Sequence, residues 1–129
     1  MTSTDDSGRK GGKAPRAARE LGGGRAVVLR VLRGFYEGLE VPMDRERIVI
    51  GRGREADLAV AEPTISRQHA AIAWDGEGYV LEDLGSTNGT RVNGRKATRT
   101  RLLAGDEIEL GRLQLQLQAR PLPGRLERE

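Results

Sequence analysis

Apolar and polar side chains alternate along most of this chain with a period of two. The clearest case is "RLQLQLQ", residues 112–118: Leu113, Leu115 and Leu117 fall on one face, Gln114, Gln116 and Gln118 on the other. That pattern predicts a half-buried, edge-type strand with one wet face. Shorter runs precede it: "AVVLRVLRG" ending at Gly34, "GLEVPM", "RIVIG", "DLAV", "HAAIAWD", "GYVLEDL" and "TRVN". "TRLLAGDEIELG" reads as a strand, an Ala-Gly-Asp turn and another strand. Turn signals recur every ~8–12 residues, the spacing of an antiparallel sandwich or barrel. No segment keeps a 3.6-residue apolar period over three turns, and no repeat of fixed length is present. The expected class is all-β.

Composition narrows the picture. The chain has 129 residues, enough for one domain with its own core. With no cysteine and a single histidine, His69, it offers neither disulfides nor the multi-ligand zinc sites. We therefore expect no metal and no cofactor. No apolar run approaches the ~20 residues that cross a bilayer. The start, "MTSTDDSGRKGGK", lacks the apolar segment of a signal peptide. A cytoplasmic protein with no membrane partner is the expectation.

The net charge of +3 suggests nucleic acid until it is located. Residues 1–25 carry +3, residues 119–129 carry +1, and 26–118 carry −1. The excess lies in the ends. Residues 1–24 are rich in Gly, Ser, Thr, Arg and Lys and cannot bury enough surface to offset ordering entropy. They are expected to form a disordered basic tail, residues 25–118 a domain, and 119–129, "ARPLPGRLERE", a flexible C-terminal tail. Aromatic residues make up only 3% of the chain, which argues against stacking platforms for single strands.

Chemistry gathers in three loops: "IGRG" at 50–53, "TISRQHA" at 64–70 and "LGSTNGT" at 84–90. Loops from distant positions meet at one end of a sandwich. If these three meet, they bring together Arg52, Ser66, Arg67, Thr87 and Asn88: two guanidinium groups, two hydroxyls and an amide. The motifs contain no carboxylate. The complement of such a set is a small dianion rich in acceptor oxygens, such as a phosphate ester.

With its "GR", then "SRxH" 14 residues later, then "NG" about 20 further on, the stretch 26–118 resembles a forkhead-associated (FHA) domain. The resemblance implies a β-sandwich of about eleven mostly antiparallel strands that binds phosphothreonine peptides through loops at one end. Position by position it implies that Arg52 and Ser66 hold the phosphate. Arg67 adds a peptide or phosphate contact, Thr87 lies near the phosphate and the threonine methyl slot, and Asn88 holds the peptide backbone. Gly51, His69 and Gly89 shape the loops. Asn88-Gly89 then belongs to a recognition loop, and Asn93-Gly94 is an ordinary hairpin turn. The implied partners are a phosphothreonine-containing protein and, upstream, a Ser/Thr kinase; the implied state is a monomer in signal transduction, without enzymatic activity.

Other readings stay open at this point. Ser66 and His69 resemble a nucleophile and base, but no third orienting group follows from the spacing. A phosphate-independent interaction module and nucleic-acid binding through the basic tails are the alternatives. Thr2 and Thr4, close to Asp5 and Asp6, are candidate phosphosites through which the tail would engage its own domain at high effective concentration. Trp74 is expected in core or rim packing.

Overall fold

The computed structural model describes residues 25–121. Eleven strands form among them, and no helix. In chain order these are β1 (Arg25–Val31), β2 (Glu40–Pro42), β3 (Arg47–Gly51), β4 (Leu58–Ala59) and β5 (Ala70–Trp74). Then follow β6 (Tyr79–Asp83), β7 (Thr90–Val92), β8 (Arg95–Lys96), β9 (Arg99–Leu102), β10 (Glu107–Leu110) and β11 (Leu113–Pro121). Five make one sheet in the order β9-β6-β5-β3-β4, and six make the other in the order β2-β1-β11-β10-β7-β8. Only the β3–β4 pair is parallel. Thr2, Thr4 and the rest of 1–24 lie outside the described residues. No helix among the described residues is long and apolar enough to cross a membrane.

The core follows from the alternation. Ile48, Ile72 and Leu81 form one row across β3, β5 and β6. Val31, Leu115, Ile108 and Val92 form the facing row across β1, β11, β10 and β7. Because side chains alternate between faces, a shift of one residue in any of these strands would turn its apolar set to water. Tyr79 is fully buried, donates its hydroxyl to the carbonyl of Met43 at 3.1 Å, and meets Trp74 edge-on. Trp74 itself is partly buried against the core.

Two expectations need correction, and one strand had no signal in the sequence. "RLQLQLQ" is no edge strand: β11 lies between β1 and β10, near the middle of its sheet. The alternation reported one wet face and carried no information about neighbours. The strand also runs on past residue 118, so Ala119 and Arg120, placed by composition in a tail, pair with Val27 and Ala26 of β1. Arg120 is held further by Glu40, which also takes Arg30 at 2.7 Å. Finally, β8 carries no apolar pattern at all; it exists because Asn93 (φ 52°) and Gly94 (φ 83°) turn the chain back onto β7.

Arg25 pairs with Pro121, so both ends of the described chain leave side by side. They do so at the end of the sandwich away from the turn that joins β10 to β11.

Ile72 is fully buried in the middle of its sheet. Ile72→Ala is expected to lower unfolding free energy by about 2–5 kcal/mol. In a urea titration the midpoint should fall with an unchanged slope.

Candidate functional site

The site begins with a backbone that comes too close for a side chain. The end of β3 docks edge-on against the 65–68 segment. Ser66 and Arg67 carbonyls accept the N–H groups of Arg52 (2.9 Å) and Gly53 (3.0 Å), and His69 N–H donates to the Ile50 carbonyl at 2.9 Å. A Cβ on Gly51 would lie 2.0 Å from the Arg67 carbonyl oxygen, so only glycine allows this approach. On the far side of the loop, the Asp57 carboxylate accepts the Val49 N–H at 2.8 Å. The turn that carries Arg52 is thus fixed at both ends.

His69 ties the next two segments together. It is fully buried. Its Nδ1 accepts the Ser66 N–H at 3.1 Å, which leaves Nε2–H to donate to the Gly89 carbonyl at 2.8 Å. One tautomer satisfies both bonds. The 84–90 loop is wound around Asp83. That carboxylate accepts the hydroxyls of Ser86 and Thr90, each at 2.6 Å, and the N–H groups of Gly85 and Ser86, each at 3.0 Å. Burial pushes the Asp83 pKa up, but these four donors outweigh it and hold the pKa below the ordinary value. The Ser86 hydroxyl also accepts the Gly89 N–H at 2.9 Å, and Gly89 takes a φ of 83°.

On this frame the polar side chains converge. Arg52 Nε donates to the Ile65 carbonyl at 3.0 Å, Thr87 N–H to Ser66 Oγ at 3.0 Å, and Asn88 Nδ2 to the Thr64 carbonyl at 2.7 Å. Two loops therefore close on one stretch of the third, residues 64–66. The bonds leave outward capacity. Arg52, anchored by Nε, keeps its two terminal nitrogens without a partner among the described residues. Ser66 Oγ accepts from Thr87 and so has its own O–H to donate. Asn88 retains its side-chain carbonyl. Arg67 is exposed, its Cβ packs beside Gly53, and its guanidinium has no partner among the described residues. The Thr87 side chain is exposed at the same rim. Arg52 also borders an open groove of ≈ 560 Å³ with Tyr36, Ala59, Val60, Ala61 and Pro63.

Thr64 is the residue that motif reading missed. Its hydroxyl donates to Glu62 at 2.7 Å and accepts the Arg112 N–H at 2.7 Å, while its carbonyl holds Asn88. The Thr64 hydroxyl and N–H lower the Glu62 pKa. Gly111, at φ 58°, leaves no space for a Cβ beside Thr64. A fourth segment, residues 111–112, thus reaches the rim, and brings the exposed Arg112 with it. Glu-Pro-Thr at 62–64 was the available signal: a threonine two residues after a carboxylate makes such local bonds.

The sequence profile of the FHA domain matches residues 48–111. Over 110 residues the chain is 34% identical to an oxoglutarate dehydrogenase inhibitor from Corynebacterium jeikeium, an alignment spanning 85% of this chain and 76% of that relative. The chain belongs to the FHA domain family. Solved structures agree. One, from a study of phosphothreonine-dependent FHA domain interactions, shares 35% identity at a TM-score of 0.68, covering 75% of this chain and 99% of that one. Another, the FhaA FHA domain complexed with the intracellular domain of Rv3910, shares 35% identity at a TM-score of 0.66, covering 71% and 99%.

Because the folded-state pKa of Asp83 is depressed, its contribution to stability is present at neutral pH and lost as pH falls through that lowered value. Asp83→Asn is expected to be destabilised most at pH 7. The gap from wild type should shrink as pH is taken down through and below 3.8, the ordinary aspartate value. Urea titrations of both proteins at pH 7 and pH 3 measure it.

Proposed function

We propose that the rim built from residues 52, 64–67 and 87–88 of this FHA domain binds phosphothreonine in a partner protein. The supporting observation is the convergence of Arg52, Thr87 and Asn88 on residues 64–66. A phosphothreonine brings about −1.5 to −2 charge at neutral pH. Arg52 meets it with a guanidinium already oriented by the Ile65 carbonyl, so little side-chain freedom remains to be lost on binding. The Ser66 hydroxyl adds a directed donor, and Arg67 a second positive charge nearby. Asn88 is placed to hold the peptide backbone beside the phosphate through its free carbonyl. Thr87 lines the slot for the threonine methyl.

The module binds and does not catalyse. His69, the one histidine, has both ring nitrogens engaged by Ser66 N–H and the Gly89 carbonyl, so neither faces the Ser66 hydroxyl as a base. Its role is to support the loops, with Gly51 and Gly89. The domain acts as a cytoplasmic adaptor or regulator downstream of a Ser/Thr kinase. That fits a relative named as an inhibitor of a metabolic enzyme.

One calorimetric series tests this. A phosphothreonine peptide should bind, its unphosphorylated form should not, and Arg52→Ala should abolish binding, since removing one partner of a hydrogen-bonded charge pair costs about 2–5 kcal/mol. The matched phosphoserine peptide should bind more weakly by at least about fourfold, the worth of one buried methyl. Retention of affinity within twofold by Arg52→Ala would overturn the assignment.

A further inference from the structure

Between Leu84 and Gly105 the chain holds five cations, Arg91, Arg95, Lys96, Arg99 and Arg101, and no carboxylate. They fall at the open flank where the two sheets end, β8 being the edge of one and β9 of the other. A groove of ≈ 710 Å³ runs there, lined by Arg95, Lys96, Arg99 and Arg101 together with Asn93, Thr98 and Thr100. Its one carboxylate, Asp106, is already engaged by the Asn93 side chain at 3.0 Å and the Leu103 N–H at 2.8 Å. Cations thus stand on both edge strands that frame it.

Single charges on edge strands need no special account, because they protect against edge-to-edge pairing. Their arrangement here does. Arg91 and Lys96 are direct cross-strand partners, a like-charge pair that destabilises a hairpin. Protection of an edge would be met as well by opposite charges. Carboxylates are near in register, Glu109 opposite Arg91 and Glu82 opposite Arg99, yet neither closes an ion pair. Only Arg101 is paired, with Asp75 at 2.7 Å. Among the described residues the side chains of Arg91, Arg95, Lys96 and Arg99 have no hydrogen-bond or ion-pair partner.

The flank is continuous with the recognition rim. A Lys96 methylene lies 3.9 Å from where a Cβ on Gly89 would stand, next to Asn88, and Ala97 N–H donates to the Thr90 carbonyl at 2.9 Å. We propose that this groove is a second subsite, which takes an acidic stretch of the same polypeptide that presents the phosphothreonine. The inference rests on the phosphothreonine reading of the rim. An acidic peptide fits better than nucleic acid for two reasons. The described residues carry 15 basic and 14 acidic side chains, so the field is local to this flank rather than spread over the surface. No aromatic side chain lines the groove to stack a base.

The test compares two phosphothreonine peptides in calorimetry. One carries a block of four glutamates on either side, beginning about three residues from the phosphothreonine, roughly 10 Å of extended chain. The other has glutamine at those positions. At about 50 mM salt the glutamate peptide should bind about tenfold tighter, the worth of a few exposed ion pairs, and the gain should fade near 0.5 M salt. The double variant Arg95→Gln/Arg99→Gln should lose the gain while binding the glutamine peptide as wild type does, which also controls for folding. Equal binding of both peptides by wild type, or a gain that survives in the double variant, overturns the flank subsite alone. Failure of both peptides to bind overturns the phosphothreonine reading beneath it. Displacement of the glutamate peptide by a short DNA duplex at lower concentration than by free polyglutamate assigns the groove to nucleic acid and overturns the peptide proposal.

Discussion

Everything at the rim depends on a contact between two stretches of main chain. Residues 50–53 and 66–69 approach so closely that position 51 can carry no side chain, and three backbone hydrogen bonds lock the approach. Arg52 is placed by this contact rather than by its own interactions. Its Nε bond to the Ile65 carbonyl sets only the final orientation of the guanidinium. A cation on a free turn would lose rotamer entropy for each bond it made; here most of that loss has already been met by folding.

The second tier is polar and buried or partly buried. His69 connects the Ser66 segment to Gly89 through one imidazole, and Asp83 gathers four donors inside the neighbouring loop. Networks of this kind stabilise only when every member is satisfied, and here each atom named has its partner. The exposed groups are thereby held by groups set behind them, of which His69 and Thr90 are fully buried. That division explains how a loop can be rich in hydroxyls and amides and still keep one shape.

Much of this was legible in the residues. Strict alternation in 113–118 and the short runs between turn residues indicated an antiparallel sandwich or barrel. The spacing of Arg52, Ser66 and Asn88 indicated loops that share a rim. The rest was hidden for physical reasons. β8 is two charged residues with no pattern of its own, defined only by its partner strand. The central place of β11 depends on which strands flank it, and period-two alternation is blind to that. Thr64 bonds locally to Glu62, but its bonds to Asn88 and Arg112, 24 and 48 positions away, are encoded by no local motif. Asp83 looked like the polar end of a strand, and its role appears only once the loop has closed over it.

The pairing of Arg25 with Pro121 has a consequence for how this unit can be joined to others. β11 rises from the rim at Leu113 and covers nine residues before it ends, about 30 Å of strand. Whatever is joined directly at Arg25 or Pro121 therefore attaches at the pole opposite the rim. A graft or support tethered at those two points leaves the rim facing outward.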